Sequence, residues 1–489
     1  MRLRISKSKP APTLICPRSS VDRTPACGAG DRRFESCRGR ISVGGNSWRG
    51  DKKQICGPLA QLVARLDGIE KVAGSSPARS TLEIIEFRLL KVRKRFFMKI
   101  LLIGAGAVGS VLSKLLASDR AVSRIICASR NTKRAKEFIK KNNKVKIVSL
   151  DASDVGAIVR LAKDADLIVN ASLTRFNENI LEAALQAKTN YQDLASELAD
   201  QKTAEQLKFH ERFRKTGRVA LINCGISPGV TNLLAREAAD ELDETEEICF
   251  RSLEEQKANE LILALSAETM LDELTAPPLI YKGNKFVFTK PFGDSEEYEF
   301  QHPFGKRQIF SVYGDEVATV PLFIKVKNVS YKIAGADIDL SKVLYRLGLF
   351  NTKPVYYKKE KIVPIEFFQR IAPKVPTPKE MSRMIKNDTI KNAVYFSAIE
   401  AMGKRERRCL KITMSATFPD LKSIPRKFSG STYISYPTGL AAYAFLKAIP
   451  KIKSSGVFTP EALDREARNV VMLELTKRGI IINEKIQKN

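Results

Sequence analysis

The stretch "MKILLIGAGAVGS" at residues 98–110 places an apolar run directly before a glycine-rich turn. Residues 99–103 have the length and apolar density of a strand buried on both faces, and a helical pattern follows the turn. Between them stand Gly104, Gly106 and Gly109, in the spacing G-x-G-x-x-G. The first glycine permits a tight turn, the second lets backbone approach a pyrophosphate, and the third lets the helix pack on the strand. The stretch therefore predicts a dinucleotide-binding turn.

Downstream of the turn, short apolar runs alternate with segments of helical period, as in βαβ units. The runs are residues 124–128, 146–150, 167–171, 190–193 and 219–223. With the first run they make six candidate parallel strands, the number in a complete nucleotide-binding sheet. The sequence thus predicts an α/β protein with a Rossmann-type, doubly wound parallel sheet over residues 98–228.

The end of the second predicted strand bears on the choice of cofactor. Ser129 and Arg130 end this strand, Lys133 and Arg134 follow closely, and no carboxylate stands among them. An acidic residue here usually binds the ribose of NAD, whereas an arginine accommodates the 2′-phosphate of NADP. We expect NADP, with NAD as the alternative if these are ordinary exposed basic residues.

Asp151 follows the third predicted strand, where it could cap a helix or lie near the adenine. The residues expected to contact the cofactor are Gly104, Gly106, Ala107, Val108, Gly109, Ser129, Arg130, Asp151, Ala171 and Ser172.

Residues 1–97 differ in character from the rest of the chain. They contain 21 Lys and Arg against 8 Asp and Glu, four of the eight cysteines and the single tryptophan, without a sustained period. A basic nucleic-acid arm, a zinc site or a disulfide module could have such a composition. The cysteine spacing contains no CxxC unit, which argues against a metal site.

Transfer RNA genes offer a different origin for this leader. Residues 33–36 can be encoded by CGGTTCGAATCC and residues 74–77 by GGTTCGAGTCCN, and both resemble a T-arm. Residues 19–23 and 59–63 can likewise encode D-arm-like sequences ahead of them. We hypothesise that residues 1–97 are spurious translation across two such genes and that the natural chain starts at Met98; a disordered basic extension is the alternative. The leader is therefore excluded from fold reasoning, and an intact-mass measurement of the native protein tests the hypothesis.

The length and composition of residues 98–489 suggest two domains in a cytoplasmic protein. Scattered cysteines, Cys127, Cys224, Cys249 and Cys409, suit a reducing compartment. No apolar stretch approaches the roughly 20 residues of a membrane span, so we expect no membrane partner. The whole chain has a net charge of +29, but its lysines are spread without a nucleic-acid-binding motif. We favour solvated faces with some preference for acidic ligands over nucleic-acid binding.

Four longer segments resemble the saccharopine dehydrogenase family, including its lysine dehydrogenase-like branch. They are "DLIVNASLTRFNENILEAALQAKTNYQDLASE" (166–197), "ALINCGISPGVTNLLA" (220–235), "LSAETMLDELTAPPLIYKGNKFVF" (265–288) and "STYISYPTGLAAYAFLKAIPKIKSSGVFTPEAL" (431–463). The resemblance implies a substrate domain inserted after the Rossmann domain, which we place at residues 229–430. It also implies that residues 431–489 form a helical segment that returns to the nucleotide domain.

The pattern of the substrate domain agrees in part with an α+β architecture. Period-2 stretches at 285–290 and 323–333, with a turn at 282–284, indicate antiparallel strands. The proline-rich residues 363–381 resemble a surface connection. Apolar helices are predicted at 439–449 and 460–477.

Enzymes of the resembled family transfer hydride between a nicotinamide and the carbon of a secondary amine or imine that links amino-acid skeletons. The resemblance therefore implies a small amino-acid substrate, and we expect a homodimer. Asp193 and Glu197 follow the fifth predicted strand, on the edge where open α/β sheets bind ligands, and Cys224 ends the sixth. These three are the candidate catalytic residues, with Asp193 as general base. The alternatives are that Asp193 caps a helix and that Cys224 is a small packed residue.

One departure from the family leaves the substrate open. Saccharopine-forming members commonly have acidic residues where this chain has Ser227 and Thr231. We expect a saccharopine or lysine dehydrogenase; a carboxynorspermidine-type polyamine dehydrogenase and a non-catalytic NADP-binding regulator are the alternatives. A substrate with several carboxylates would need basic residues in the second domain. The candidates there are Lys306, Arg307, Arg370 and Arg426.

Overall fold

The computed structural model describes residues 98–198 and 200–488. The predictions for residues 1–97, including the tRNA-gene hypothesis and the four leader cysteines, lie outside the described residues. Within them, no helix is both long and apolar enough to cross a membrane.

Seven parallel strands form the first sheet of the described chain. They are β1 Met98–Ile103, β2 Val122–Ser129, β3 Val145–Ser149, β4 Leu167–Asn170, β5 Asn190–Gln192, β6 Val219–Leu221 and β17 Gly456–Phe458. Their order across the sheet is β17-β6-β5-β4-β1-β2-β3. The six predicted strands are confirmed, and their order is that of a nucleotide-binding Rossmann sheet. The seventh comes from the C-terminal part of the chain.

Five helices connect the first six strands. They are α1 Ala107–Ser118, α2 Thr132–Phe138, α3 Val155–Ala162, α4 Asn177–Gln186 and α5 His210–Thr216. The predicted C-terminal helices are present as α12 Ser435–Ala448 and α13 Arg465–Thr476. Helix α12 packs closely on α1, since a Cβ at Gly439 would lie 2.8 Å from the side chain of Val111. Helix α12 of this segment therefore packs on the nucleotide domain.

A nine-stranded mixed sheet forms the second layer of the described chain. Its strands are β7 Glu244–Ala258, β8 Leu279–Lys282, β9 Lys285–Phe288, β10 Glu296–Phe300, β11 Gly305–Ser311, β12 Asn328–Ala334, β15 Ile390–Arg405, β16 Arg408–Thr417 and β18 Ile481–Lys488. The main path runs β10-β11-β12-β7-β15-β16-β18, with β8 and β9 branching from β12. Strands β12 and β7 are parallel, and the other pairs are antiparallel.

Helices of the second domain pack around this sheet. They are α6 Val230–Asp240, α7 Ala267–Thr275, α8 Asp315–Phe323, α9 Ala336–Arg346, α10 Pro364–Ile371 and α11 Pro378–Lys386. A small hairpin, β13 Val355–Tyr357 with β14 Glu360–Ile362, lies between α9 and α10.

Two sequence expectations need correction. The connection predicted at residues 363–381 contains α10 and the start of α11, because Pro364 and Pro378 stand at helix starts, where proline is favourable. Strand β18 pairs with β16 in the second sheet, so the end of the chain does not stay with the nucleotide domain. Its apolar Ile482 is buried there, and that burial favours the pairing.

Candidate active site

A cleft of about 1190 Å³ lies between the carboxyl ends of the first sheet and the second domain. Its nucleotide side is made by the segments that follow β1 to β6, and its opposite side by α7, the start of α8 and residues of the second sheet. Open α/β sheets bind ligands at this edge.

The glycine turn has the backbone that a dinucleotide requires. Gly104 has a φ of +101°, and a Cβ at this position would overlap the carbonyl group of Ala171. A Cβ at Gly109 would overlap the Gly104 carbonyl oxygen, whereas a Cβ at Gly106 would meet open space. The turn thus needs glycine at two positions for packing and presents the third toward the cleft, which fits a cofactor pyrophosphate.

Ser172, predicted as a cofactor contact, is oriented by a residue that sequence reasoning missed. Its backbone N–H and hydroxyl both donate to Asn170 Oδ1, at 2.9 and 2.5 Å. Asn170 Nδ2 in turn donates to Asn177 Oδ1 at 2.8 Å. The end of β4 is therefore a fixed part of the cleft wall. Asn170 closes the apolar run "LIVN", a polar residue at a strand end that could have marked it.

At the other end of the nucleotide side, Ser129, Arg130 and Asp151 line the cleft. Asp151 is not a helix cap: Oδ1 accepts from the backbone N–H and hydroxyl of Ser153, at 2.9 and 2.7 Å, and these bonds lower its pKa. Asp154 caps α3 instead. No carboxylate ends β2, so the described residues fit the 2′-phosphate of NADP.

Asp193 is not on the cleft wall. It is 1% exposed, and its carboxylate accepts from the Asn223 backbone N–H at 2.7 Å and from Gln206 Nε2 at 3.0 Å. Burial raises the pKa of Asp193 to about 7. The cleft is lined instead by residues 194–198, so the prediction of Asp193 as the base is not supported.

Cys224 is fully buried as well, with its thiol against the carbonyl oxygens of Leu221 and Ile222 at 3.4 and 3.5 Å. Burial raises the pKa of the Cys224 thiol well above its usual value, so the structure favours the packing alternative. Glu197 does line the cleft and accepts a hydrogen bond from Thr174 Oγ1 at 2.5 Å.

Two carboxylates at the start of α8 occupy the place expected for Asp193. Asp315 lines the cleft and accepts from the Ser196 backbone N–H at 2.9 Å. Burial, followed by the charge of neighbouring Glu316, raises the pKa of Asp315 well above its usual value. Sequence reasoning missed both residues because acidic residues in a first helical turn are common stabilising features.

Glu316 binds the two positions at which the chain departs from the resembled family. Its Oε1 accepts from Ser227 Oγ at 2.5 Å and from Thr231 Oγ1 at 2.7 Å. Ser227 Oγ also lies 3.2 Å from the Tyr331 hydroxyl. A carboxylate is therefore present beside these hydroxyls, but a different element supplies it.

Further carboxylates line the same side of the cleft. Tyr433 OH donates to Glu254 at 2.8 Å and lies 3.4 Å from Asp337. Burial and the charge of Asp337 raise the pKa of Glu254 to about 7. Glu273 is exposed to the cleft, and its enclosure between the cleft walls, followed by the charges of Glu254, Asp315 and Glu316, raises its pKa well above the usual value.

We call this group the acidic wall. It consists of Glu254, Glu273, Asp315, Glu316 and Asp337.

Basic side chains do not match this acidic wall. None of Lys306, Arg307, Arg370 and Arg426 lines the cleft, so the expected carboxylate-binding residues are not at the site. Lys306 instead pairs with Glu297 at 2.8 Å. The described basic residues on the cleft wall are Arg130, Arg134, Arg175 and Lys374. Arg175 forms an ion pair with Glu268 of α7.

Family models cover nearly all of the described chain. Residues 100–221 match the saccharopine dehydrogenase NADP binding domain, and residues 225–480 match the saccharopine dehydrogenase C-terminal domain. The chain belongs to the saccharopine dehydrogenase family. Like the dehydrogenases of this family, it is an NAD(P)-dependent oxidoreductase that acts on amine donors. The alternative of a non-catalytic regulator is set aside.

Two curated relatives of this saccharopine dehydrogenase family member have names that refer to carboxylated polyamines. Carboxyaminopropylagmatine dehydrogenase from Synechocystis sp. is 25% identical over 388 residues, which cover 75% of this chain and 93% of the relative. Carboxynorspermidine synthase from Vibrio alginolyticus is 27% identical over 304 residues, which cover 56% of this chain and 73% of the relative.

Solved structures show the same saccharopine dehydrogenase fold. Saccharopine dehydrogenase (L-Glu forming) from Saccharomyces cerevisiae has a TM-score of 0.58 at 15% identity and covers 80% of this chain and 100% of its own. The homospermidine synthase of Legionella pneumophila, solved with NAD, has a TM-score of 0.59 at 12% identity and covers 80% of this chain and 91% of its own.

Proposed function

We propose that the protein reduces the imine formed between an amino-acid aldehyde and a polyamine-type amine, giving a carboxylated polyamine. When bound, NADPH supplies the hydride for the imine carbon, and the nitrogen takes up one proton from the protein. The observation that carries the proposal is the acidic wall, Glu254, Glu273, Asp315, Glu316 and Asp337, on the substrate side of the cleft. Both curated relatives described above are named for carboxylated polyamines.

Net charge distinguishes a polyamine substrate from a saccharopine-like substrate. Amines of this type are cationic at neutral pH, and a cation in a partly desolvated cleft is strongly stabilised by nearby carboxylates. A substrate with several carboxylates would be repelled by the same wall. The earlier expectation of lysine metabolism therefore loses its support from the site, whereas the polyamine alternative gains it.

Asp315 is our candidate for the proton donor to the imine nitrogen. It lies on the cleft wall and binds Ser196, which is itself on the nucleotide side. Its raised pKa favours the protonated carboxyl that a proton donor needs. Glu316 is more deeply buried, and its Oε1 is held by two hydroxyls, so we assign it the positioning of the Ser227 loop.

Arg175 is our candidate for the carboxylate of the aldehyde partner. It follows Ser172 by three positions, so it lies beside the end of β4, and its ion pair with Glu268 is solvent-accessible. A four-carbon amino-acid aldehyde, aspartate semialdehyde, would leave a carboxyaminopropyl group on the amine. The proposed product carries one carboxylate, which would pair with Arg175, and several cationic nitrogens, which would pair with the acidic wall.

The test is NADPH oxidation with aspartate semialdehyde and each of 1,3-diaminopropane, putrescine and agmatine, beside lysine with 2-oxoglutarate. We expect turnover with at least one of the three amines and little with lysine. Efficient turnover with lysine and 2-oxoglutarate alone would overturn the polyamine proposal.

A pair of variants tests the acidic wall directly. Glu273 has no hydrogen-bond or ion-pair partner among the described side chains, and a bound cationic amine favours its ionised form. Glu273→Gln should therefore raise the KM for the amine by roughly tenfold through the loss of this ion pair. Glu366→Gln is the matched control, since Glu366 is exposed and off the cleft. An equal, small effect of the two variants would argue against a cation subsite.

A further inference from the structure

We infer that Lys374, which the second domain contributes, binds the 2′-phosphate of NADP(H) together with Arg130 of the nucleotide domain. The phosphorylated cofactor then contacts both domains, while the unphosphorylated cofactor does not make this bridge. The inference concerns the adenosine end of the cleft and holds whichever amine is the substrate.

The placement of Lys374 rests on the segment that joins α10 to α11. Residues 372–375 line the cleft together with Ser129 and Arg130. Arg134 Nη2, from the first turn of α2, donates to the Val375 carbonyl oxygen at 2.9 Å. This bond holds the segment of the second domain against the nucleotide domain beside the end of β2.

The segment is also fixed on its far side. Thr377 begins α11 with a capping box, in which its backbone N–H donates to Glu380 Oε2 at 2.8 Å. Pro373 and Pro376 flank Lys374 and Val375 and restrict the backbone between the two anchors. Lys374 is thus presented from a rigid support, although its own side chain is exposed.

The side chains of Arg130 and Lys374 are free of hydrogen bonds and ion pairs within the described residues, although the charge of Asp151 reaches Arg130. Arg134, by contrast, is engaged by Val375 and lies 4.0 Å from Glu137. Asp151 shares this end of the cleft, and its Oδ1 is occupied by Ser153. A phosphate monoester carries nearly two negative charges, so it is best held by two cationic donors approaching from different sides.

Binding measurements test the role of Lys374 without turnover. Calorimetric titrations of NADPH, NADH and 2′,5′-ADP at physiological salt would compare the full chain with Lys374→Ala, Lys374→Arg and Lys379→Ala. Lys379 is the matched control, because it is exposed in the next helix and off the cleft. For Lys374→Ala we expect weaker binding of NADPH and 2′,5′-ADP by on the order of tenfold. We expect unchanged NADH binding, and Lys374→Arg should keep most of the affinity.

Thermal stabilisation gives a second readout. NADPH should raise the melting temperature more than NADH at the same free ligand concentration, and Lys374→Ala should remove most of this excess. Unchanged NADPH binding in Lys374→Ala would overturn the inference. Equal losses in Lys374→Ala and Lys379→Ala, or equal losses of NADPH and NADH, would overturn it as well.

Discussion

Ser227 Oγ donates to Glu316 Oε1 at 2.5 Å, which joins the loop after β6 to the first turn of α8. The bond links a nucleotide-domain loop to the helix that carries the candidate proton donor. It also supplies a carboxylate beside the Ser227 hydroxyl, where the family resemblance implies an acid. The Glu316 carboxylate lies beside the Ser227 hydroxyl. A second carboxylate at position 227 would have no positive charge to pair with.

Introducing an acid at position 227 tests this relationship. Ser227→Asp would place a carboxylate against the buried Glu316 and should destabilise the fold by roughly 3 kcal/mol. The double variant Ser227→Asp with Glu316→Ser should recover most of that loss, since one carboxylate remains. Urea denaturation of the two single variants and the double variant measures the coupling; additive losses would contradict a direct pairing.

Asp315→Asn tests the proton donor. If Asp315 protonates the imine nitrogen, the asparagine variant should lower kcat by about 10² to 10⁴ with NADPH affinity little changed. Asp193→Asn is the matched control, because Asp193 is buried behind the cleft wall. Steady-state kinetics of both variants decide the assignment, and a large loss in Asp193→Asn alone would restore the original prediction.

The buried carboxyl of Asp193 should affect stability rather than turnover. Its pKa is raised to about 7, so the folded state holds a proton that the unfolded state releases near pH 4. Stability due to this group therefore falls as pH rises from about 4 to 7, by at most about 1.4 kcal/mol per pH unit.

Asp193→Asn should abolish this contribution. The Oε1 atom of Gln206 is buried without a hydrogen-bond partner, so a rotated Gln206 amide can accept from the new asparagine. We expect the variant to be at least as stable as the wild type at pH 8 and less dependent on pH. Chemical denaturation from pH 5 to 8 measures the difference, and parallel curves would contradict it.

Amine recognition should depend on pH through Glu254. Its pKa is raised to about 7, so the carboxylate is ionised above this pH and neutral below it. The kcat/KM for the cationic amine should fall as pH decreases through 7, because the wall loses negative charge. Glu254→Gln should flatten this limb of the profile, with NADPH binding as the control; an unchanged profile would exclude Glu254.

Arg130→Asp tests the cofactor preference at its sequence-predicted residue. Loss of a charged hydrogen bond to the 2′-phosphate should weaken NADPH binding by about 1.5 to 3 kcal/mol. NADH binding should be nearly unaffected, as judged by fluorescence titration of each cofactor. Equal losses for both cofactors would show that Arg130 does not bind the phosphate.

A homodimer and a cytoplasmic location remain predictions.

The sequence by itself determined the nucleotide half of the molecule. Buried parallel strands are continuous apolar runs, and the turn after β1 needs glycines at set positions, so both leave a local pattern. The strand ends that follow from this pattern include Gly104, Ser129 and Ser172, and all three line the cleft.

Only the tertiary structure decided which acidic and basic groups face the cleft. A carboxylate beside a strand end, such as Asp193, can point into the core, and a first-turn acid, such as Asp315, can face the cleft. Lys374 reaches the nucleotide end because residues far apart in the chain pack together. Such placements depend on the docking of the two domains, and no local period in the sequence records that docking.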